Sequence, residues 1–192
     1  MLNTSSTARL RAIETAQKVL SARPVYLDTE TTGLDRSDEI IEISIVDDDG
    51  QVLFESLVKP SRPIPPASTR VHGIRDIDVQ SARTWPAVWP QVRSVLFGRL
   101  IVIYNESFDM RMMQQSHARY NLQWKEKFNT FDLLKLYAEF HGEWDSYRRS
   151  YRYISLENAG KHCQISLPNA HRSTADTLLT RAVLHFIADC KG

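Results

Sequence analysis

Three β-favouring runs crowd into the first third of the chain, and after them such runs stand singly between segments of helical period. Pro24 to Glu30 (PVYLDTE) is a short apolar run broken by Thr31-Thr32-Gly33, which predicts a buried strand ending in a turn. Glu39 to Val46 (EIIEISIV) and Gln51 to Val58 (QVLFESLV) flank Asp47-Asp48-Asp49-Gly50. An Asp-Gly break between two β-type runs is a strong hairpin signal, since tight hairpin turns need residues that accept positive φ. Arg99 to Tyr104 (RLIVIY) is a run of the fully buried kind, set between helical patterns over Pro86 to Phe97 and Ser107 to Tyr120. A meander that gives way to strand and helix in alternation predicts one α/β domain on a mixed sheet.

The remaining segments fit that frame. Leu10, Ile13, Ala16 and Leu20 recur at helical spacing behind the cap candidates Ser5-Ser6-Thr7, and Pro24 ends the run. Residues 1–23 are therefore expected to form a helical extension ahead of a domain over residues 24–192. Thr130 to Phe140 and Thr174 to Asp189 read as helices, and Gly142 to Arg152 as irregular. With 192 residues, about 70% of the unfolded chain's surface can be buried, so a core forms without metal or disulfide support. Any metal would then serve chemistry. Cys163 and Cys190 sit in no CxxC pair, no apolar run approaches the length of a membrane span, and the N-terminus lacks the features of a signal peptide. The expectation is a cytoplasmic protein with no membrane partner. A formal net charge of +1 argues against a passive coat for nucleic acid, but not against an enzyme whose acidic site offsets a basic groove.

Asp28 and Glu30 form an acid-x-acid pair, a cheap signal: about three arise by chance at this composition, and the sequence holds four. Context separates this one, because it closes an apolar strand on which positions i and i+2 share a face. Asp109 falls in the first turn of a helix directly after RLIVIY, where the helix dipole favours an acid and where α/β proteins commonly build sites. Asn105 is either a simple turn residue or part of such a site. Asp176 follows Ser173 at the spacing of a capping box, so it is either a capping acid or a fourth functional carboxylate. His171, five residues before Asp176, cannot share its helical face and is expected in the loop ahead of the helix.

The ordered set is more specific than any member. Asp28-Thr29-Glu30-Thr31-Thr32-Gly33-Leu34, Ile40-Ile41-Glu42-Ile43, Val71-His72-Gly73-Ile74, Asn105-x-x-Phe108-Asp109 and His171-x4-Asp176 together resemble the DnaQ-like DEDDh family of 3′→5′ exonucleases, from about residue 24 to the C-terminus. The resemblance implies a ribonuclease H-like fold with a mixed five-stranded sheet flanked by helices in a single domain. It also implies two divalent cations, Mg²⁺ or Mn²⁺, and release of nucleoside 5′-monophosphates from a free 3′ end. Asp28, Glu30, Asp109 and Asp176 would hold the metals, and His171 would take a proton from the attacking water. Thr31, Thr32, Leu34, His72, Asn105 and Phe108 would lie against the substrate, Leu34 either as a wedge between the last two bases or as a buried loop leucine.

Tyr104-Asn105 stands where the family usually has His-Asn, and no tail for tethering to a polymerase is apparent after Asp176, which favours a free-standing enzyme. Partners would be single-stranded nucleic acid or duplex 3′ ends. Basic and aromatic residues interleave over Tyr147 to Tyr153 (YRRSYRY), where Arg148, Arg149 and Tyr151 are candidates for gripping a single strand, the alternative being a solvated loop. Single-stranded DNA is the leading substrate. An exoribonuclease trimming RNA 3′ ends and a catalytically inactive module in a repair or polymerase assembly are the alternatives.

Overall fold

The computed structural model describes residues 4–165 and 171–191. Its elements run α1 (Thr4–Ser21), β1 (Val25–Thr31), β2 (Ile40–Val46), β3 (Val52–Lys59), α2 (Pro66–His72), α3 (Asp76–Val79), β4 (Arg83–Thr84), α4 (Trp85–Leu96), β5 (Leu100–Ile103), α5 (Glu106–Arg119), β6 (Asn129–Asp132), α6 (Leu133–His141), β7 (Trp144–Asp145), β8 (Ser150–Tyr151), α7 (Leu156–His162) and α8 (Ser173–Asp189). The expected meander is present: β1 pairs antiparallel with β2, and β2 with β3 across the Asp47–Gly50 turn. In that turn Gly50 has φ +85°, a conformation a side chain would strain. β5 then returns parallel to β1, and β6 parallel to β5.

The sheet has six strands, in the order β4-β3-β2-β1-β5-β6, rather than five. The extra one is β4, two exposed residues that pair with the end of β3 and carry no apolar pattern. The helix expected from Thr130 starts only at Leu133, because Asn129–Asp132 is drawn into the sheet beside the fully buried end of β5. Gly142–Arg152 contains the short ribbon β7-β8. α1 already includes the Ser5-Ser6-Thr7 triplet read as its cap.

Pleating divides the core. Tyr26 and Val102 face a layer containing Ala12, Ala16, Leu136, Tyr137, Val183, Leu184 and Ile187, so α1, α6 and α8 cover that side. Val25, Leu27, Ile101 and Ile103 face the other way, onto Val88, Val92, Met112 and Met113 of α4 and α5. α1 is tied in by Gln17 Nε2 donating to the Ala188 carbonyl at 3.0 Å and by Arg9 donating to the Phe140 carbonyl at 3.2 Å. Among the described residues no helix is long and apolar enough to cross a membrane.

Candidate active site

β1 alternates sides with period two, so Asp28 and Glu30 point to the same face as Tyr26, toward α8. They are the two positions of β1 that are not fully buried. α8 brings Asp176 to them, and carboxylate oxygens of Asp28, Glu30 and Asp176 lie within 4.8 Å of one another. Thr29, between the two acids, points the opposite way and donates from Oγ1 to Asp109 Oδ1 at 2.7 Å, holding the first-turn acid of α5 against the strand. One three-residue stretch therefore addresses two helices on opposite faces of the sheet. Asp176 is not a cap: Arg172 occupies the N-cap position without a capping side-chain bond, and among the described residues the Ser173 hydroxyl has no partner.

The electrostatics follow from crowding. Burial, with Asp176, Glu42 and Asp109 adding repulsion, pushes the Glu30 carboxyl up to about 8. Burial likewise pushes Asp109 up to about 7 against the opposing hydrogen bond from Thr29. Asp28 is raised well above the usual carboxylate range by burial and then by Asp109, Asp176 and Glu30, and Asp176 is raised by burial with His171 opposing. Such a cluster holds protons until cations replace them. Its donors are all carboxylate oxygens, the set that hard Mg²⁺ or Mn²⁺ takes, so a divalent centre fits these residues.

His171 lies ahead of α8, exposed, with φ +65°, in a cleft shared with Asp28, Tyr104, Ser155, Leu156 and Asp176. The loop position expected for it is the one it has; Pro168, Asn169 and Ala170 of the same motif lie outside the described residues. A second cleft, on the other side of the acids, is lined by Thr29, Glu30, Thr31, Gly33, Leu34, His72 and Phe108 among others. Leu34 there is 74% exposed, so it is no buried loop leucine. His72 is buried; its Nδ1 accepts from the Ile74 amide at 3.0 Å, which leaves the proton on Nε2, on the side of the Thr31 backbone. Thr31 donates to the Gly33 carbonyl at 2.8 Å. Thr32 is absent from this lining: its hydroxyl donates to Asp38 Oδ1 at 2.8 Å and accepts from the Glu39 amide, so it builds the turn. A Cβ at Gly33 would sit 2.5 Å from Asp38 Oδ2, so a larger residue there would displace the Asp38 carboxylate from Thr32.

A third cleft continues from the first past Tyr104, Asn105, Tyr153, Ile154 and Ser155. Tyr104, the departure from the usual family residue, donates its hydroxyl to the Ile154 carbonyl at 2.7 Å and so fixes this wall. Asn105 adopts φ +68° at the N-cap of α5. Arg148, Arg149 and Tyr151 line none of these clefts; Arg148 and Arg149 are exposed on the β7-β8 ribbon, and Tyr153, with 57% exposure, is the member of that segment that reaches the groove.

Sequence reasoning assigned no role to Glu42 or Arg172. Glu42, only 1% exposed, stands directly across the β1-β2 ladder from Glu30. Arg172 grips it with Nε and Nη2, and the Ser173 amide donates to the same carboxylate at 2.9 Å. The pair thus fastens the start of α8, with His171 on one side and Asp176 on the other, to the strand beside the acids. The signal was available as an Arg adjacent to His171 and an acid inside an otherwise apolar strand. Arg172→Ala leaves a buried carboxylate with one amide donor, and the expected cost is about 3 kcal/mol, at the lower end for a broken buried pair because Arg172 is half exposed. Urea unfolding measures it; Arg172→Lys should lose less.

Comparison with known proteins agrees with this geometry. The family model described as an exonuclease, of the RNase T type, matches residues 25–184. The uncharacterized exonuclease CP81 of Escherichia phage 186 is 36% identical over 180 residues, covering 90% of this chain and 92% of that protein. The epsilon subunit of DNA polymerase III from Pasteurella multocida is 32% identical over 110 residues, 52% of this chain and 44% of that one. Among solved structures, Exonuclease X in complex with 5′-overhanging duplex DNA superposes with a TM-score of 0.64 at 26% identity over 85% of this chain and 89% of that chain. The nuclease domain of 3′hExo, a DEDDh family member bound to rAMP, shares the fold, with a TM-score of 0.69 at 15% identity over 86% of this chain and 91% of its own.

Proposed function

Since this chain belongs to the exonuclease family, we propose that it hydrolyses phosphodiester bonds one at a time from a free 3′ end, releasing nucleoside 5′-monophosphates, with single-stranded DNA as its leading substrate. The observation that carries this reading is the meeting of Asp28, Glu30 and Asp176 within 4.8 Å, beside His171 in one cleft. Asp28, Glu30 and Asp176, with Asp109 beside Asp28, would hold two Mg²⁺ or Mn²⁺ ions, which would stabilise the charge that develops on the attacking and leaving oxygens. His171 accepts the proton of the attacking water, a role suited to an imidazole that stands in the cleft and is free to approach a bound phosphate.

The terminal nucleotide occupies the cleft between the Thr31–Leu34 turn and Phe108. Leu34, exposed at its rim, wedges against the penultimate base, and His72 packs behind the same cleft wall. The preceding strand leaves along the Tyr104–Ser155 wall, where Asn105 and Tyr153 contact it. Arg148, Arg149 and Tyr151 then meet phosphates and bases farther from the scissile bond.

An oligonucleotide carrying a label on its 3′-terminal nucleotide should release labelled 5′-monophosphate in the first turnover with Mn²⁺, whereas a 5′-label should persist on a shortening ladder. Early release of a 5′-labelled mononucleotide, or internal cuts, would overturn the assignment; matched RNA in the same assay decides the sugar preference. Arg148→Ala with Arg149→Ala is expected to raise the KM for long single strands and reduce the log-log salt slope of binding by about 1 to 2. Hydrolysis of a small nucleotide ester should be unchanged. Equal losses on both substrates would show that the ribbon supports the fold and not the strand.

A further inference from the structure

Asp28, Glu30 and Asp176 meet at one end of the sheet. At the opposite end, beside the starts of β5 and β6, stands a local group of cations. A cleft of about 470 Å³ opens where β5 and β6 begin and α4 ends, and Arg93, Phe97, Arg99, Lys125, Lys127 and Phe128 are among the residues that line it. Arg93 is engaged by Glu126 at 2.7 Å. Among the described residues, Arg99, Lys125 and Lys127 form no ion pair, and all three are exposed. Phe97, at the C-cap of α4, is 68% exposed in their midst. Among the described residues β6, which the Lys125–Phe128 segment enters, is the outer strand of the sheet and pairs only with β5.

We propose that this cleft docks an extended acidic segment of a partner protein, with an apolar side chain of that segment seated on Phe97 and its backbone running beside β6. Charge complementarity carries the choice: three unanswered cations around one exposed aromatic ring match a short run of carboxylates interrupted by an apolar residue. An open sheet edge is a common template for an added strand. Nucleic acid fits less well, because a strand led from this cleft toward the catalytic acids along the β6 edge meets a carboxylate. Glu106 accepts from Thr130 of β6 and stands on that path, while Asp132 at the strand's end is answered by Lys135. A single strand is tracked by continuous positive charge, which is interrupted here. A partner held at this end also leaves the catalytic cleft open.

The proposal does not depend on the nuclease reading, and its test separates the two. A fluorescein-labelled peptide of about ten residues, Asp and Glu with two central Phe, is titrated with the protein and followed by anisotropy at low and moderate salt. Saturable binding that weakens with salt is expected, and Lys125→Glu with Lys127→Glu should weaken it roughly tenfold or more. Phe97→Ala should weaken it several-fold, Arg99→Glu provides a second charge reversal, and a version of the peptide with Lys in place of the acids should not bind. Cleavage of a short oligonucleotide should be unchanged in every variant, which also reports folding. Absence of peptide binding, or binding indifferent to both charge reversals, overturns the proposal. So does loss of oligonucleotide affinity in the Lys125→Glu, Lys127→Glu variant together with displacement of the peptide by a 3′-blocked oligonucleotide, which would make the cleft a nucleic-acid track.

Discussion

Asp28→Asn is expected to reduce Mn²⁺-supported cleavage of a single-stranded oligonucleotide by roughly 10⁴-fold or more, the scale on which groups that act as a unit fail together. Asp28 is the acid whose carboxyl is raised by burial and then by Asp109, Asp176 and Glu30, so it stands at the centre of the cluster. The same exchange removes a like charge from a crowded, buried set and should leave the metal-free protein as stable as the parent or more so. The pH dependence has a definite sign. Glu30 sits at about 8 in the folded chain against an ordinary value of 4.5, so the folded state binds that proton more tightly than the unfolded state. The stability this represents is complete below about 4.5 and is lost as pH rises through about 8. In chelator the Tm should therefore fall between pH 6 and 8, by ~2–4 °C for each kcal/mol lost in a domain of this size, and Mn²⁺ should restore it most at the alkaline end. Thermal scans with and without Mn²⁺ across that range measure this. Wild-type turnover in Asp28→Asn, or a metal-free Tm that climbs from pH 6 to 8, would remove the metal assignment.

His171→Ala is expected to lower turnover by roughly 10² to 10⁴, the range for loss of a general base, while Mn²⁺ affinity changes little. His171 is exposed and precedes α8, so the substitution opens no cavity and leaves the three converging carboxylates in place. Its backbone is the sensitive part. With φ +65°, it holds a left-handed conformation that costs an Ala about 1 kcal/mol or more, and His171→Asn, which tolerates that region better, separates loss of the imidazole from strain in the loop. Calorimetric titration of Mn²⁺ into both variants gives the affinity, and single-turnover cleavage gives the chemical step. If His171→Asn binds Mn²⁺ as poorly as Asp28→Asn does, the imidazole belongs among the metal ligands and the base lies elsewhere.

The hairpin over Ile40–Lys59 was legible from the Asp-Gly break between two β-type runs, and the placing of Asp28 with Glu30 on one face from period two, which a strand cannot evade. His171 ahead of α8 was legible from helical angle alone. β6 was not, since Asn129–Asp132 is four residues long and its conformation comes from the neighbouring edge of β5, a long-range pairing that local pattern does not encode. β4 escaped for the same reason. Thr32 was placed against substrate by its position in the motif, whereas its hydroxyl is consumed by Asp38 and Glu39 seven residues on at most. The grip of Arg172 on Glu42 spans 130 positions, and a single sequence offers the two ends without the fold that joins them.

The alternation of Asp28, Thr29 and Glu30 between the two helices flanking β1 has a consequence for how this fold can change over time. Adding or removing one residue upstream in β1 would exchange the faces, sending the acids toward α5 and the threonine toward α8 in a single event. Such an edit has no partial form that a compensating substitution could rescue. Length changes in this family should accordingly collect in the connections, such as the stretches before α2 and between α6 and α7, where an insertion moves no carboxylate. The strand itself is left to vary by substitution alone.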